Sequence, residues 1–356
     1  MLQSQVFILV PYRIYLCASM DWPLIDLLEL HHPKDTEKSS VRGVGGRLLN
    51  EIFNELCEDY IERNRISYKV LANEILEVNA ASVQNWRGFN QNYNDGHPIP
   101  LWALKKLLEL NELQYTDKHK EIINSISYLQ CGRVSEKLRA QKFLTPELAK
   151  LCGAHAADGC LNGAKNKGPL SARWDLGDQE KENVLEARNW LENCFGFKPI
   201  LMQKGKMAYT WSNKQIISRY LTRIFDFTIG SKCDIVKMPA IFKTNDKRVF
   251  GSADKQALQI LQLEFSKEVI NFDGHSTLSG NVVQAGFGSN SRPLLEDVKE
   301  VFQRHDVNFH IYKNKILTTS YSETKKLYSL GLFRGLKKGK FDKLILQHSR
   351  KAEKYP

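Results

Sequence analysis

Apolar positions along this chain change their period part-way. Between Arg47 and about Asn111 they recur at three- and four-residue steps, the spacing of amphipathic helices. Leu48, Leu49, Ile52, Phe53 and Leu56 make one stripe. Leu71, Ile75, Leu76 and Val78 make a second, shorter one, and Ser82, Val83 and Trp86 lie on a third. A turn-rich loop, NYNDGHPIP, precedes LWALKKLLEL (Leu101 to Leu110), a further helix. Residues 112–144 are charged and read as a helical connector. Beyond them the pattern becomes mixed. LSARWDLG (170–177), MAYTWS (207–212) and NVVQAGFGS (281–289) alternate like strands. Residues 182–196 and 291–305 read as amphipathic helices. Upstream, HHPKDTEKSSVRGVGG (His31 to Gly46) is polar and Gly-bearing, a linker by composition. VFILVPYRIYLC (Val6 to Cys17) is apolar but interrupted by Pro11 and Arg13. It is too short to span a bilayer and lacks a basic segment before it, so neither a membrane span nor a signal peptide is expected. Residues 1–19 are set aside, with Met20 as an alternative start. The expected organisation is a tail and linker (1–46), a helical domain (47–135), and two α+β units (140–250 and 255–350).

Within the helical domain, LANEILEVNAASVQNW resembles the helix-turn-helix of prokaryotic DNA-binding proteins. It departs from that pattern by one extra residue before the turn and by Glu77 where Gly is frequent. The resemblance implies that the helix carrying Val83 and Trp86 meets DNA. Ser82, Gln84, Asn85 and Arg87 are then the candidate base or phosphate contacts. A plain helical bundle with a solvated polar face is the alternative.

The stretch LAKLCGAHAADGCLNG (Leu148 to Gly163) is unlike ordinary core. Thr145 and Pro146 mark a helix start. Leu148, Leu151 and Cys152 keep helical spacing, after which Gly153, Ala154, Ala156 and Ala157 crowd together and Asp158-Gly159 ends the run. An Asp-Gly pair recurs at Asp273-Gly274, and setting the two against each other halves the region. Each half reads helix, Asp-Gly, strand, strand, helix. The acid precedes the next helix by about 25 residues in the first half and roughly 18 in the second.

LCGAHAADG (Leu151 to Gly159) resembles the LAGLIDADG signature of homing endonucleases, matching at Leu151, Gly153, Ala157, Asp158 and Gly159. The second copy, SKEVINFDG (Ser266 to Gly274), matches at Asp273 and Gly274 alone and carries Glu268 at the packing Gly. GSKCDIVKMPAIF (Gly230 to Phe242) resembles the lysine-then-Pro segment of that family. The resemblance covers about residues 145–335. It implies two pseudo-symmetric αββαββα repeats with saddle-shaped sheets, preceded here by an all-α helix-turn-helix domain. The two motif helices would pack side by side, with Gly153, Ala154 and Ala157 as the helix interface. It further implies that Asp158 and Asp273 bind a divalent metal, Mg2+ or Mn2+, and are catalytic, with Lys232 as a catalytic lysine. The partner would be double-stranded DNA, cut by a monomer. An Asp-Gly turn after a helix is also common without any such role.

Charge bears on the partner. The 356 residues carry a net charge of +11, which favours a polyanion. Between Lys325 and Lys343 there are seven basic residues and one acid, Asp342. Lys337 and Lys338 in this run are candidate DNA contacts, or part of a solvated basic tail. The seven cysteines form no CxxC pair and the nine histidines no metal signature, so reduced thiols in an intracellular protein are expected, cytoplasmic and, with a DNA partner, nucleoid-associated. Three readings compete. One is a metal-dependent, site-specific DNA endonuclease. The next is a DNA-binding regulator or RNA-binding maturase on the same scaffold, with cleavage lost. An intein is not expected, since no splicing-type Cys or Ser start and no His-Asn ending is present.

Overall fold

Among the described residues, a first unit is followed by a second and a third that share one topology. The computed structural model describes residues 21–35, 39–88, 96–132, 136–163, 172–230, 234–244, 246–250, 254–279 and 282–354, with side chains of the last helix to residue 347. The first unit contains β1 (Leu24–Ile25), β2 (Val41–Val44), α1 (Gly46–Asn64), α2 (Tyr68–Val70), α3 (Ala80–Trp86), β3 (Ile99–Pro100), α4 (Leu101–Leu110), α5 (Asp117–Ser125), β4 (Tyr128–Cys131) and β5 (Leu138–Arg139). The second unit runs α6 (Pro146–Ala157), β6 (Gly159–Asn162), β7 (Arg173–Asp178), α7 (Lys181–Phe195), β8 (Leu201–Lys204), β9 (Met207–Ser212) and α8 (Gln215–Arg219). After β10 (Val249–Phe250) comes the third: α9 (Lys255–Asp273), β11 (Gly274–Ser279), β12 (Val282–Gly288), α10 (Arg292–Gln303), β13 (Phe309–Tyr312), β14 (Lys315–Thr318) and α11 (Tyr321–Ser329). A long helix, α12 (Gly335–Lys354), follows.

The αββαββα order expected from the sequence is present twice. Both sheets are antiparallel, ordered β6-β7-β9-β8 and β11-β12-β14-β13, so the strand next to each motif helix lies at a sheet edge. Alternation decides the faces: Trp174, Leu176 and Asp178 of β7 are buried, while Arg173, Asp175 and Gly177 look away from the core. Thr145 caps α6 by accepting from the Leu148 amide at 3.4 Å, with Pro146 in the first turn, as the start signal predicts.

The first unit departs from its expectation in two ways. It is not all-α: β3, β2, β4 and β5 form a four-stranded sheet, in that order. And the expected linker is not one, since β2 lies inside it and all four of its residues are buried. The pattern hid this strand because its buried positions include Arg42, whose guanidinium donates to the Pro98 carbonyl at 3.3 Å, and Gly43, packed on Ile126. The supposed helical connector likewise gives way to β4 and β5 after α5.

The segment before β2 is a strap. β1 pairs with β10, Leu24 opposite Phe250, and Leu27, Leu28 and Leu30 are wholly buried. Asp35 then meets Arg219 of α8 in an ion pair whose side chains are both 0% exposed. Arg219 Nη1 also reaches the Leu30 carbonyl at 3.4 Å, and Arg223 donates to the carbonyls of Glu29 and His31. Burial alone would push the Asp35 carboxyl up. The His31 ring 3.4 Å away, the Arg219 guanidinium and the His32 amide outweigh it and hold the group below its ordinary value.

Arg219→Met should therefore leave a buried carboxylate without its cation, with only the His32 amide and the His31 ring beside it, and cost about 3–5 kcal/mol in denaturant unfolding. Removing the exposed pair partner Arg47 should change stability by less than ~0.5 kcal/mol. Because the folded pKa of Asp35 is depressed, the pair's contribution is present above about pH 4 and is lost as pH falls through the folded value.

Candidate active site at the paired helix ends

The two motif helices run side by side and in the same direction. Lys150 of α6 reaches Glu264 of α9 at 3.4 Å, and three residues on, Gly153 faces Phe265 and Glu268. A Cβ at Gly153 would run into the Phe265 carbonyl oxygen and sit 3.0 Å from Cβ of Glu268. Only a residue without a side chain permits this approach. Ala154 and Ala156 are buried beside it and Ala157 partly so. From Gly153 and Glu268 each helix continues for five residues to its acid, about 7.5 Å along the axis. Asp158 and Asp273 thus stand at the same level of the pair, each at the step from helix into first strand. Asp158 is exposed and Asp273 half-buried. The turns are tight: a Cβ on Gly159 would strike His155, and one on Gly274 the Ile270 carbonyl and the Phe333 ring.

Glu268, the residue least suited to a close helix contact, is neutralised. It is 1% exposed and receives both arms of Arg334, Nη2 to Oε1 at 2.6 Å and Nη1 to Oε2 at 2.7 Å. Burial pulls the Arg334 pKa down, and the Glu268 hydrogen bonds and charge more than offset it, raising the group above its ordinary value. The guanidinium lies over Trp190 of α7, 5.6 Å from the ring centroid. Around this pair the repeats are laced together. Asn183 of α7 donates to Asp178 at 2.6 Å and to the Asn271 carbonyl at 2.9 Å, and accepts from Arg334 at 3.2 Å. Asn271 Oδ1 receives the Phe333 amide at 2.7 Å, and Glu180 receives the Leu336 amide at 2.8 Å.

Lys337 lies at the same helix end. Its ammonium donates to the carbonyls of Phe272 and, at 3.3 Å, Asn271, immediately before Asp273. Lys338 turns away, paired with Asp342 at 3.0 Å. Lys232 lies outside the described residues. Arg334, the partner of Glu268, was visible in the sequence only as one basic residue in a run. A buried acid in the second motif was the signal that a cation had to meet it. Next along β11, His275 has a lowered pKa, first from burial and then from the charges of Lys315, Lys340 and Lys337.

Among the described residues no group of three or more His, Cys, Asp or Glu side chains is disposed to hold a metal ion. Two carboxylates are hard oxygen donors of the kind Mg2+ and Mn2+ prefer, and such an ion ordinarily completes its shell with water and phosphate oxygens. The donor set fits a metal shared with a phosphodiester and does not amount to a closed protein cage.

In the first unit, α2 continues through a π-turn over Leu71–Ile75, with the Leu76 amide bonded to the Leu71 carbonyl at 2.8 Å. Such a turn absorbs one extra residue in a helix, which is the excess noted in the sequence. Glu77 then takes a left-handed conformation (φ 56°), and Asn79 caps α3 by accepting from Ala81 at 2.9 Å. Val83 and Trp86 are buried, Trp86 edge-on to Phe53 and Trp102. Gln84 and Asn85 are exposed and Ser82 half-buried. Arg87 is engaged elsewhere than on this face. It donates to Asn54 and, at 2.7 Å, to Glu58 of α1, and stacks on Tyr68. It braces α3 on α1.

No family model matches this chain, and no curated protein does. Solved structures with similarity include I-DmoI in complex with DNA and Mn, at 13% identity and a TM-score of 0.37 over 53% of this chain and 96% of that one. The homing endonuclease I-WcaI bound to its DNA recognition sequence is similar at 10% identity and TM-score 0.37, over 56% and 87%. The N-terminal LAGLIDADG domain of DUF199/WhiA is similar at 11% identity and TM-score 0.34, over 57% and 89%.

Two substitutions test the helix contact. Gly153→Val should destabilise the fold by about 1–3 kcal/mol in chemical unfolding, because α6 must retreat from the Phe265 carbonyl. Arg334→Met should cost about 3–5 kcal/mol, and the double change with Glu268→Met should recover most of that loss, since it removes both charges.

Proposed function

We propose that this chain is a site-specific endonuclease of double-stranded DNA, acting as a monomer with a divalent metal, Mg2+ or Mn2+, held by Asp158 and Asp273. The observation that carries this is the parallel pair α6 and α9, in contact at Gly153 and ending level at two carboxylates. When bound, the metal supplies Lewis-acid activation of a phosphodiester and of the attacking water. The chain's own residues do the rest. The helix pair fixes the spacing of the acids. Lys337 sets a positive charge beside Asp273, where it can offset charge developing on a phosphate. Lys232 is kept as a candidate in the corresponding role for the first repeat. The two sheets offer outward faces for the grooves on either side of the cut. A net charge of +11 supports attraction to the DNA backbone, with Lys338 among the phosphate contacts.

The first unit adds contacts in this reading. Its π-turned helix, left-handed Glu77 and capped α3 support a helix-turn-helix whose exposed Gln84 and Asn85, with the half-buried Ser82, face DNA. Arg87, tied to Glu58, is left out of that surface. A double-stranded DNA partner would set the protein with the nucleoid. The inactive regulator or maturase drew its support from the degenerate second motif. Its main irregularity, Glu268, is matched by Arg334 without loss of the close helix contact, which favours the enzyme.

Purified protein incubated with random duplexes and Mg2+ should cut a subset of them. Asp158→Asn and Asp273→Asn should each slow cutting roughly 10³-fold or more, with DNA binding retained. Binding indifferent to Mg2+, with no cutting of any selected duplex, would establish the inactive reading instead.

A further inference from the structure

One arginine organises the outer face of the first repeat's sheet. Register sets Asp175 of β7 between Cys160 of β6 and Trp211 of β9, all on the face away from the core. Arg173, two residues before Asp175, shares that face. Its Nε donates to Asp175, 2.9 Å from Oδ1 and 3.0 Å from Oδ2, and its guanidinium carbon lies 5.5 Å from the Trp211 ring centroid. Asn162 donates to the same carboxylate from the other side. The Arg173 side chain remains 52% exposed.

The choice of atom matters. A guanidinium has two usable edges, one formed by Nε with a neighbouring Nη and one formed by Nη1 with Nη2. Asp175 takes Nε, and among the described residues neither Nη nitrogen of Arg173 makes a hydrogen bond. The end-on fork is thus held outward, with the side chain fixed below by a carboxylate and beside by a ring. This fork matches O6 and N7 of guanine in the major groove. Fixing it in advance removes part of the ordering cost of binding. Stability does not explain the arrangement, since an exposed pair of this kind contributes little to folding. The carboxylate itself is covered by Arg173 and Asn162, so it is not presented bare to phosphates.

The second repeat lacks the device at the equivalent place. Gly159 faces Leu176 as Gly274 faces Phe287, so Gln284 corresponds to Arg173, Gly286 to Asp175 and Leu317 to Trp211. No carboxylate stands beside Gln284 in that register, and the ring diagonal to it is the imidazole of His275, opposite Gly286, in place of an indole.

We propose that Arg173, positioned by Asp175 and Trp211, reads a guanine in the half-site beneath the first repeat, and that the pseudo-symmetric position beneath Gln284 is not read as guanine. This rests on the DNA-binding reading above. The target is then asymmetric at a defined pair of positions.

The test is selection of bound duplexes from a random pool in Ca2+, using the whole protein and its Arg173→Ala, Arg173→Lys, Asp175→Ala and Gln284→Ala variants. The unaltered protein should enrich guanine at one position. Arg173→Ala should lower the preference for that guanine by about 5- to 150-fold and leave the other positions as they were. Arg173→Lys should not restore it, because an ammonium has no fork. Asp175→Ala should weaken the same position with no change in affinity for unselected DNA, a result that loss of structure would not give. Gln284→Ala should leave the guanine untouched and alter another position. If guanine enrichment survives Arg173→Ala, or every position flattens together, the inference is overturned while DNA binding stands. If the unaltered protein enriches no sequence, the DNA-binding reading fails with it, and the two failures are told apart by that control.

Discussion

The fold turns on how closely two helices can pass. At Gly153 there is no room for one further carbon, and everything that makes the candidate site lies within two helical turns of that contact. Close passage fixes the level of the two acids, and the sheets follow because each begins at the glycine after its acid. The contact would be expected to join two small-residue surfaces. Here only α6 is thin. The facing position on α9 is a glutamate, and the structure answers it with a bidentate arginine, a tryptophan face and an asparagine that bonds to both repeats. A steric device on one helix is thus matched by an electrostatic device on the other. Such a buried pair is poor at adding stability but strict about geometry, since neither charge tolerates the loss of its partner.

That asymmetry runs through the repeats. They share one topology and register, yet their outward faces differ. The first carries an arginine, an aspartate, a tryptophan and thioethers, while the second carries histidines, hydroxyls and glycines. The shared topology supplies the frame, and the residues on the exposed side of each pleat differ. A single chain with two unlike halves suits a target with two unlike half-sites, which a symmetric dimer cannot match.

Legibility of the fold followed the periodicity of each segment. The strands at 207–212 and 282–288 and the helices α7 and α10 were readable because each buries one face and solvates the other. β2, β4 and β5 were not, since they are two to four residues long and β2 buries an arginine and a glycine. Asp158 could be found because small residues in helical register precede it. Asp273 rested on an Asp-Gly pair alone. The part of the site contributed by Arg334, Asn183 and Lys337 is assembled by tertiary contact across 66 to 151 positions of sequence, which no local pattern records. The extra residue before Glu77 was legible as an anomaly, and its physical form, a π-turn followed by a left-handed residue, was not.

The strap at the start of the described chain has a consequence for synthesis. Leu24 and Ile25 find their strand partners at Phe250 and Val249, and Asp35 finds its cation at Arg219. At ordinary translation speeds the intervening chain takes roughly 10–45 s to appear. For that interval Asp35 lacks its cation and β1 its partner strand, while Asp26 and Glu29 already meet His119 and Lys105 of the first unit. The strap can therefore dock on the first unit early, and β10 and Arg219 lock it only after the second unit has been made.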